Sequence, residues 1–268
     1  MSPAHPCALI TGASAGLGQE FARQLAARGY DLLLVARREE RLVALAESLV
    51  GQHGIQVETC CVDLSSAGAV DRILAKLAAS GLALEMVVNN AGYGVPGGYL
   101  SHPWSVHVDF QQVLINAVAE LSYRVVPLLR ARGAGQILNV ASLAGHVPGS
   151  AGHTLYAPAK AWLIKFSECL AAELRRDGIT VTALCPGFTY TEFHDVNGMR
   201  CQVSRLPRWL WLDAESVVRQ GLAAMTRREV VFIPGRVNRL LALSVRYLPR
   251  GLVQRAIASR EHDFRRTD

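Results

Sequence analysis

The stretch "CALITGASAGLGQEFARQLAAR", residues 7–28, joins a short apolar run to a helix-like segment through a glycine-rich turn. The apolar run 7–11 predicts a strand, and residues 17–28 predict a helix. The glycines of the turn are Gly12, Gly16 and Gly18. Glycine lets the backbone turn tightly and approach a pyrophosphate, while the start of the helix supplies free N–H groups and a positive dipole. A Gly-x3-Gly-x-Gly turn alone could be purely structural, but its place between strand and helix favours a nucleotide site.

The alternation of apolar runs and helix-like segments continues along the chain. Six further runs predict strands, at residues 31–36, 55–62, 84–89, 135–141, 179–185 and 230–233. Five further segments predict helices, near residues 39–53, 66–80, 109–132, 155–177 and 213–227. Strand and helix in alternation are typical of a parallel sheet with helices on both faces. The sequence therefore predicts an α/β fold, a three-layer, Rossmann-type, doubly wound parallel sheet of about seven strands.

Two segments depart from this alternation. No linker rich in Pro, Gly or Ser divides the chain, so residues 1–268 are predicted to form a single dinucleotide-binding catalytic domain. Residues 188–212 lack a clear period, and an excursion after the sixth strand usually roofs a ligand crevice, so a substrate lid is predicted there. Residues 236–268 carry eight Arg and three acids among Leu, Val and Ile, which predicts basic amphipathic C-terminal helices. We expect them to cover the core or contact a subunit, with peripheral contact to an anionic membrane as the alternative.

Composition and charge argue against several classes of protein. The net charge is +6, and residues 236–268 account for +5 of it, so the remaining body is almost neutral and nucleic-acid binding is not expected. The six cysteines form no C-x-x-C pair, which favours a reducing cytosol over a disulfide framework or zinc site. The first predicted strand begins at residue 7, leaving no room for a signal peptide, and the uncharged stretches are interrupted by Gly, Pro and Asn. We therefore expect a cytoplasmic protein without a metal.

The end of the second predicted strand bears on the choice of dinucleotide. A cofactor with a free ribose 2′-hydroxyl requires an acid about twenty residues past the glycines. This chain has Ala36 there, followed by Arg37 and Arg38. A guanidinium pairs with a 2′-phosphate through two hydrogen bonds, and the Ser14 hydroxyl could reach the same group. The sequence therefore favours NADP(H) over NAD(H), although Arg38 and Arg41 could also be the solvated start of a helix.

Seven short motifs follow one another in a fixed order over residues 6–190. They are Thr11-Gly12-x3-Gly16-x-Gly18, Asp63, Asn89-Asn90-Ala91-Gly92, Asn116, Ser142, Tyr156-x3-Lys160 and Pro186-Gly187. With these motifs the chain resembles the short-chain dehydrogenase/reductase family, in its single-domain, NADP(H)-preferring branch. The resemblance implies hydride transfer between a nicotinamide and a carbonyl or alcohol.

The same resemblance implies a set of cofactor-binding residues. It places Asp63 at the adenine, the backbone around Asn90 along the adenosine, and Thr189 and Thr191 near the nicotinamide carboxamide. The full set is Gly12, Ser14, Ala15, Gly16, Leu17, Gly18, Arg37, Arg38, Asp63, Leu64, Asn90, Ala91, Gly92, Tyr156, Lys160, Pro186, Gly187, Thr189 and Thr191. The predicted cofactor is NADP (NADPH).

The pair Tyr156 and Lys160 then has a chemical interpretation. Reduction of a ketone puts negative charge on oxygen, so the site needs a proton donor and a hydrogen-bond donor. A phenol has a pKa near 10, and a nearby cation is expected to lower it. The chain has three lysines against twenty-five arginines, and an ammonium one helical turn from Tyr156 can bias the phenol while its three donors bind ribose hydroxyls.

Ser142 and Asn116 complete the predicted catalytic set. By the resemblance Ser142 bonds the substrate oxygen, and Asn116 holds a water that links Lys160 to solvent. Alternatively, Ser142 could cap a strand end and Asn116 could be a buried amide that satisfies nearby backbone. Ser142 and Tyr156 are fourteen positions apart, where the family more often has twelve or thirteen, so the intervening loop carries an extra residue.

The substrate is expected to be an apolar carbonyl or alcohol. Aromatic and histidine side chains populate the loop and the excursion: His146, His153, Phe188, Phe193, Trp209 and Trp211. The predicted helices 109–132 and 155–177 resemble those by which the family pairs, so a homodimer or homotetramer is expected. Two alternatives remain at this stage: an epimerase or dehydratase with the same Tyr-Lys pair, and a non-catalytic regulator that senses NADP(H).

Overall fold

The structure, a computed structural model, describes residues 5–149, 151, 152, 154–192, 207–248, 251 and 253. Its strands are β1 (Pro6–Thr11), β2 (Asp31–Ala36), β3 (Val57–Cys61), β4 (Ala83–Asn89), β5 (Gly135–Val140), β6 (Ile179–Leu184), β7 (Thr189–Tyr190), β8 (Leu212–Asp213) and β9 (Val231–Phe232). Its α-helices are α1 (Gly16–Ala26), α2 (Glu39–His53), α3 (Ala69–Ser80), α4 (Trp104–Gln111), α5 (Ala117–Arg132), α6 (Tyr156–Leu174), α7 (Ala214–Thr226) and α8 (Arg236–Tyr247).

One parallel sheet organises the part of the chain that the structure describes. Its seven strands lie in the order β3-β2-β1-β4-β5-β6-β9, and every neighbouring pair is parallel. The chain moves outward from β1 to β3 and then crosses back to β4 on the other side of β1. The carboxyl ends of β1 and β4 therefore form a topological switch point, where open α/β sheets bind ligands. The predicted Rossmann-type fold is confirmed.

The two faces of the sheet have separate cores because successive side chains of a buried strand point to opposite sides. Leu9 and Leu33 pack in the core that also contains residues of α3 and α5. Ile10 and Leu32 pack in the opposite core, together with Phe21 and other residues of α1 and α2. Every residue of β2 is buried, as a strand covered by helices on both faces requires.

The structure adds two details that the sequence pattern did not predict. The predicted helix 109–132 is a longer run that starts at Trp104 and contains a π-helical turn, Gln112–Asn116, between α4 and α5. A second, two-stranded sheet pairs β7 with β8. Two-residue strands are too short for an alternating pattern to reveal them. This small sheet joins both ends of the predicted lid 188–212, whose residues 193–206 lie outside the described part.

The C-terminal helix α8 exposes apolar side chains. Leu240 is 67% exposed and Tyr247 is 78% exposed, beside the exposed Arg236 and Arg239. The predicted membrane or subunit contact of residues 236–268 stays a prediction, as do the single domain and the oligomeric state. None of the described helices has both the length and the apolar character of a membrane span.

The turn after β1 approaches its neighbours so closely that a side chain would not fit. A Cβ on Gly18 would lie 2.2 Å from the carbonyl oxygen of Gly12. Gly12 itself has φ +69°, and a Cβ there would lie 2.9 Å from Cα of Ala91. These contacts let α1 begin directly behind the turn while the turn rests on the chain that leaves β4.

Gly18→Ala should therefore destabilise the fold, because a backbone carbonyl cannot move aside cheaply. We expect a loss of about 1–3 kcal/mol in unfolding free energy, measured by urea denaturation. The matched control is Gly51→Ala in α2, where an added Cβ meets nothing within 4 Å and the better helix propensity should add up to about 1 kcal/mol. Equal stabilities for the two variants would contradict the close approach.

Candidate active site

A crevice of about 850 Å³ opens at the carboxyl ends of β1, β4, β5 and β6. Nearly all of the predicted site residues line it: Gly12, Ser14, Ala15, Gly16, Leu17, Arg37, Arg38, Asp63, Leu64, Asn90, Ala91, Gly92, Ser142, Tyr156, Lys160, Pro186, Gly187, Thr189 and Thr191. Gly18 lies behind the turn, and Asn116 lies on the helix beyond the crevice. The structure thus brings the predicted residues to one place, and their roles stay predictions.

The glycine turn is tied to the end of β4 by hydrogen bonds. The backbone N–H groups of Asn90 and Ala91 donate to Thr11 Oγ1 at 3.0 and 3.1 Å. Asn90 Nδ2 donates to the Thr11 carbonyl at 2.9 Å. At the start of α1, Ala15 is the N-cap residue and provides no side-chain acceptor, so the first-turn N–H groups and helix dipole suit an anion. The bare glycine cradle and this helix start fit the pyrophosphate of a nicotinamide dinucleotide.

Arg37 and Arg38 line the end of the crevice that is predicted to hold the adenosine, and Arg41 lies nearby on α2. Arg38 donates from Nε and Nη2 to Ser14 Oγ at 3.2 and 3.1 Å. Arg37 turns the other way and lies 3.6 Å from the Asp63 carboxylate. Arg41 donates from Nη1 to both carboxylate oxygens of Glu192, at 3.0 and 2.8 Å. Of the two arginines predicted for a 2′-phosphate, Arg38 is the one held against Ser14.

Asp63 is fixed as an anion beside Arg37. Burial alone would raise its pKa, but hydrogen bonds from the Ser65 N–H and hydroxyl, together with the Arg37 guanidinium, outweigh burial and lower the pKa. The Ser65 N–H and hydroxyl donate to the same carboxylate oxygen at 2.9 and 2.8 Å. The carboxylate therefore stands at the crevice wall as a fixed acceptor.

Three of the predicted catalytic side chains lie together near the carboxyl end of β5. The hydroxyls of Tyr156 and Ser142 share a hydrogen bond. Ser142 Oγ also accepts from the Ala144 N–H at 3.1 Å and so caps the 3₁₀ turn Leu143–Gly145. Lys160 Nζ donates to the Val140 carbonyl at 2.7 Å and lies 5.8 Å from the centre of the Tyr156 ring. A hydroxyl pair thus faces the crevice with an ammonium beneath it.

The pKa of Tyr156 differs from the sequence-based expectation. Burial raises it to about 12, and the hydrogen bond with Ser142 offsets only part of this effect. Burial also lowers the pKa of Lys160 to about 8. The expected lowering of the phenol pKa by Lys160 is thus not found: burial is the largest cause of the shift, Ser142 is the group that lowers the pKa, and the Lys160 ammonium donates to the Val140 carbonyl. At neutral pH the phenol keeps its proton and the ammonium keeps its charge.

The sequence profile described as short chain dehydrogenase matches residues 6–199. The chain belongs to the short-chain dehydrogenase/reductase family. Enzymes of this family are oxidoreductases that bind a nicotinamide cofactor and a small-molecule substrate. The resemblance noted from the motif order is confirmed.

Known proteins of this family resemble the chain to different extents. The very-long-chain 3-oxoacyl-CoA reductase-A of Danio rerio is 32% identical over 189 residues, which cover 69% of this chain and 58% of that protein. This chain thus spans little more than half of that relative. A short-chain dehydrogenase from Sphingobium yanoikuyae, solved in complex with NADPH, has a TM-score of 0.80 and 32% identity, covering 94% of this chain and 95% of that one. A family member from Burkholderia phymatum, solved in complex with NAD, has a TM-score of 0.79 at 23% identity, covers 91% and 93% of the two chains, and shows the fold alone.

Asn116, at the end of the π-helical turn, is placed differently from the other predicted short-chain dehydrogenase/reductase residues. Its side chain is exposed, and its Nδ2 donates to Gln112 Oε1 at 3.0 Å. The amide is thus bonded within its own helix, neither buried nor joined to Lys160 by a direct hydrogen bond. A water-mediated link from Asn116 to Lys160 stays a prediction.

The aromatic residues predicted around the substrate separate into two groups. Trp211 is buried and stacks on Tyr190 with ring centres 4.6 Å apart, while Phe188 lines the crevice 5.6 Å from Trp211. Trp209 is 63% exposed. His146 is half-buried, and burial lowers its pKa. His153 and Phe193 lie outside the described residues. The described residues contain no group of three or more His, Cys, Asp or Glu that could hold a metal.

Asn139, Ser167 and Glu192 support the site and were not predicted from the sequence. Asn139 and Asn89 are buried side by side, with Asn89 Nδ2 donating to Asn139 Oδ1 at 2.8 Å. Asn139 Nδ2 then donates to Ser167 Oγ on α6 at 2.8 Å. These bonds join β4, β5 and α6 directly behind the site. The pairing of Glu192 with Arg41 could not be predicted, because the two residues lie 151 positions apart and no local spacing indicates such a contact.

The buried Lys160 ammonium gives a pH-dependent effect on stability. With a folded pKa of about 8 against an ordinary 10.5, its desolvation cost is fully present below pH 8 and disappears as the pH rises toward 10.5. Lys160→Met should therefore exceed the parent in unfolding free energy by roughly 1–3 kcal/mol near neutral pH, and the gap should become much smaller by about pH 10. Urea denaturation at both pH values measures the two gaps.

The control for this experiment is Lys165→Met on the same helix, since Lys165 is an exposed lysine paired with Glu168. Its difference from the parent should stay constant between the two pH values. A gap between Lys160→Met and the parent that does not change with pH would contradict a desolvated ammonium at position 160.

Proposed function

We propose that this protein is an NADP(H)-dependent oxidoreductase that interconverts an apolar carbonyl compound and its alcohol. The observation that carries the proposal is the hydrogen-bonded hydroxyl pair of Tyr156 and Ser142 in the crevice, with the buried Lys160 ammonium 5.8 Å from the centre of the Tyr156 ring. Two adjacent donors suit an oxygen that gains negative charge as its carbon is reduced.

Each side chain has a separate role in this proposal. When bound, the nicotinamide cofactor supplies or accepts the hydride. Tyr156 gives its proton to the carbonyl oxygen, and Ser142 donates a hydrogen bond that orients this oxygen. Lys160 stays charged at neutral pH and stabilises the phenolate that Tyr156 becomes after proton transfer. Burial raises the pKa of Tyr156 and so opposes formation of the phenolate. The attraction of the Lys160 ammonium, strengthened by low-dielectric surroundings, offsets this cost.

The preference for NADP(H) rests on the adenosine end of the crevice. Position 36, where NAD-binding chains have an acid, is an alanine. The side chain of Arg38 is held by two hydrogen bonds to Ser14. A guanidinium held in one orientation, next to a hydroxyl, suits a phosphate dianion. The NADPH complex of the relative from Sphingobium yanoikuyae agrees with this choice.

The preference for an apolar substrate rests on the walls near Tyr156. Leu143, Ala144, Val147 and Phe188 line this side of the crevice. Side chains of this kind favour hydrocarbon next to the reacting carbonyl over a polyhydroxylated sugar. The Danio rerio relative, named for very-long-chain 3-oxoacyl substrates, is consistent with this class.

Tyr156→Phe removes the proton donor but keeps the ring. We expect reduction of a panel of apolar ketones, followed at the NADPH absorbance, to fall by about 10²–10⁴-fold, while NADPH affinity stays within twofold. Tyr123→Phe is the control, since Tyr123 is 78% exposed on α5. Turnover by Tyr156→Phe at the parent's rate would refute the mechanism, and NADPH binding by the parent without turnover of any ketone or alcohol would indicate a sensor.

Arg38→Ala tests the cofactor preference. Loss of charged hydrogen bonds should weaken NADPH binding by about 10–100-fold, whereas the NADH dissociation constant should change by less than about threefold. Arg23→Ala on α1, which removes a surface pair with Glu20, is the control. Calorimetric titration with both cofactors gives all of these constants, and equal losses for NADPH and NADH would reject the preference.

A further inference from the structure

The proposed 2′-phosphate site already holds a carboxylate of the protein itself. Glu192 lines the same crevice as Ser14 and Arg38. Arg38 Nη1 donates to its Oε2 at 3.3 Å, and Arg41 Nη1 donates to both of its oxygens. The Arg38 side chain thus divides its donors between the Ser14 hydroxyl and an internal anion.

The charges of this cluster are well defined. Hydrogen bonds from Arg41, and to a smaller extent from Arg38, hold the pKa of Glu192 below its usual range, so the group is an anion at neutral pH. The local charge is therefore two guanidinium groups against one carboxylate. An incoming phosphate dianion would carry more charge and more acceptor oxygens than the carboxylate it replaces.

The contact is open to exchange with a ligand. The side chains of Arg38, Arg41 and Glu192 are 42%, 49% and 47% exposed. Ion pairs of this exposure contribute little to stability, so a ligand can break this one without disturbing the fold. A guanidinium that bonds the Glu192 carboxylate has fewer donors free for a phosphate, and the two anions repel each other.

We propose that Glu192 is an internal counter-ion that competes with the cofactor 2′-phosphate for Arg38 and Arg41, and thereby limits both the affinity for NADP(H) and its discrimination against NAD(H). The inference rests on the proposed NADP(H) preference and deepens it. Glu192 supplies, from a segment more than 150 positions away, an acid that the end of β2 lacks, and this acid competes for the two arginines.

The test uses two probes that differ only in the phosphate of interest, adenosine 2′,5′-bisphosphate and adenosine 5′-monophosphate. Calorimetric titration of the full chain should show Glu192→Gln binding the bisphosphate about two- to fivefold more tightly than the parent does. Binding of the monophosphate should be unchanged. NADPH should follow the bisphosphate, and NADH should follow the monophosphate.

Two further variants sharpen the result. Glu192→Ala should shift binding in the same direction, because it also removes the competing charge. Glu20→Gln removes an acid that pairs with Arg23 on α1 and should leave both probes unaffected. Thermal unfolding of each variant identifies any loss of folded protein.

The outcomes separate this inference from the proposed function. Bisphosphate binding that is unchanged or weaker in Glu192→Gln would overturn the counter-ion role, and so would a loss of monophosphate or NADH affinity, since Glu192 would then be a ribose ligand. A parent that fails to distinguish the bisphosphate from the monophosphate would instead refute the NADP(H) preference itself.

Discussion

The molecule depends on one steric constraint, the contact between two backbone turns at the switch point of the sheet. Gly18 faces the Gly12 carbonyl at a distance that admits no Cβ, and Gly12 rests on Ala91 beyond β4. Because these turns touch, α1 can begin beside the crevice with its N–H groups facing a ligand. Any side chain at this contact would separate β1 from β4 and widen the floor of the site. The lack of side chains at Gly12 and Gly18 therefore leaves the space in which a nucleotide is predicted to bind.

The reacting end of the crevice follows a different physical principle, in which desolvation sets the acid–base balance. Lys160 is buried against the Val140 carbonyl, close to Gly92, and Tyr156 lies above it. In water the pair would have ordinary pKa values. Within the protein both groups are shifted away from their charged forms, which leaves a phenol that keeps its proton and an ammonium that benefits strongly from a nearby anion. If Tyr156 transfers its proton to a substrate, the resulting phenolate attracts the buried Lys160 ammonium, and this attraction offsets the cost of burying the two charges.

Much of this architecture could be predicted from the sequence, because it depends on local patterns. The strands follow from short apolar runs, and the glycine turn from residues within one segment. Tyr156 and Lys160 could be recognised because they share a helical turn. Side-chain environments were harder to predict. The direction of the Tyr156 pKa shift depends on how deeply the side chain is buried. The hydrogen bond of Asn116 depends on a π-helical turn, which the spacing of apolar residues does not predict. The Glu192 contact joins distant segments, so it required coordinates.

The C-terminal helix α8 has a consequence for how this chain could be recombined with its relatives. The family profile ends at residue 199, yet Asn238 on α8 is buried, donates to the Pro234 carbonyl at 3.0 Å, and lies within 2.6 Å of where a Cβ on Gly187 would be. A helix outside the matched region thus abuts the loop predicted to flank the nicotinamide. A chimera that joins residues 1–199 of this chain to the C-terminal part of a relative would lose the matched contact between Gly187 and Asn238. These two residues should therefore come from the same parent.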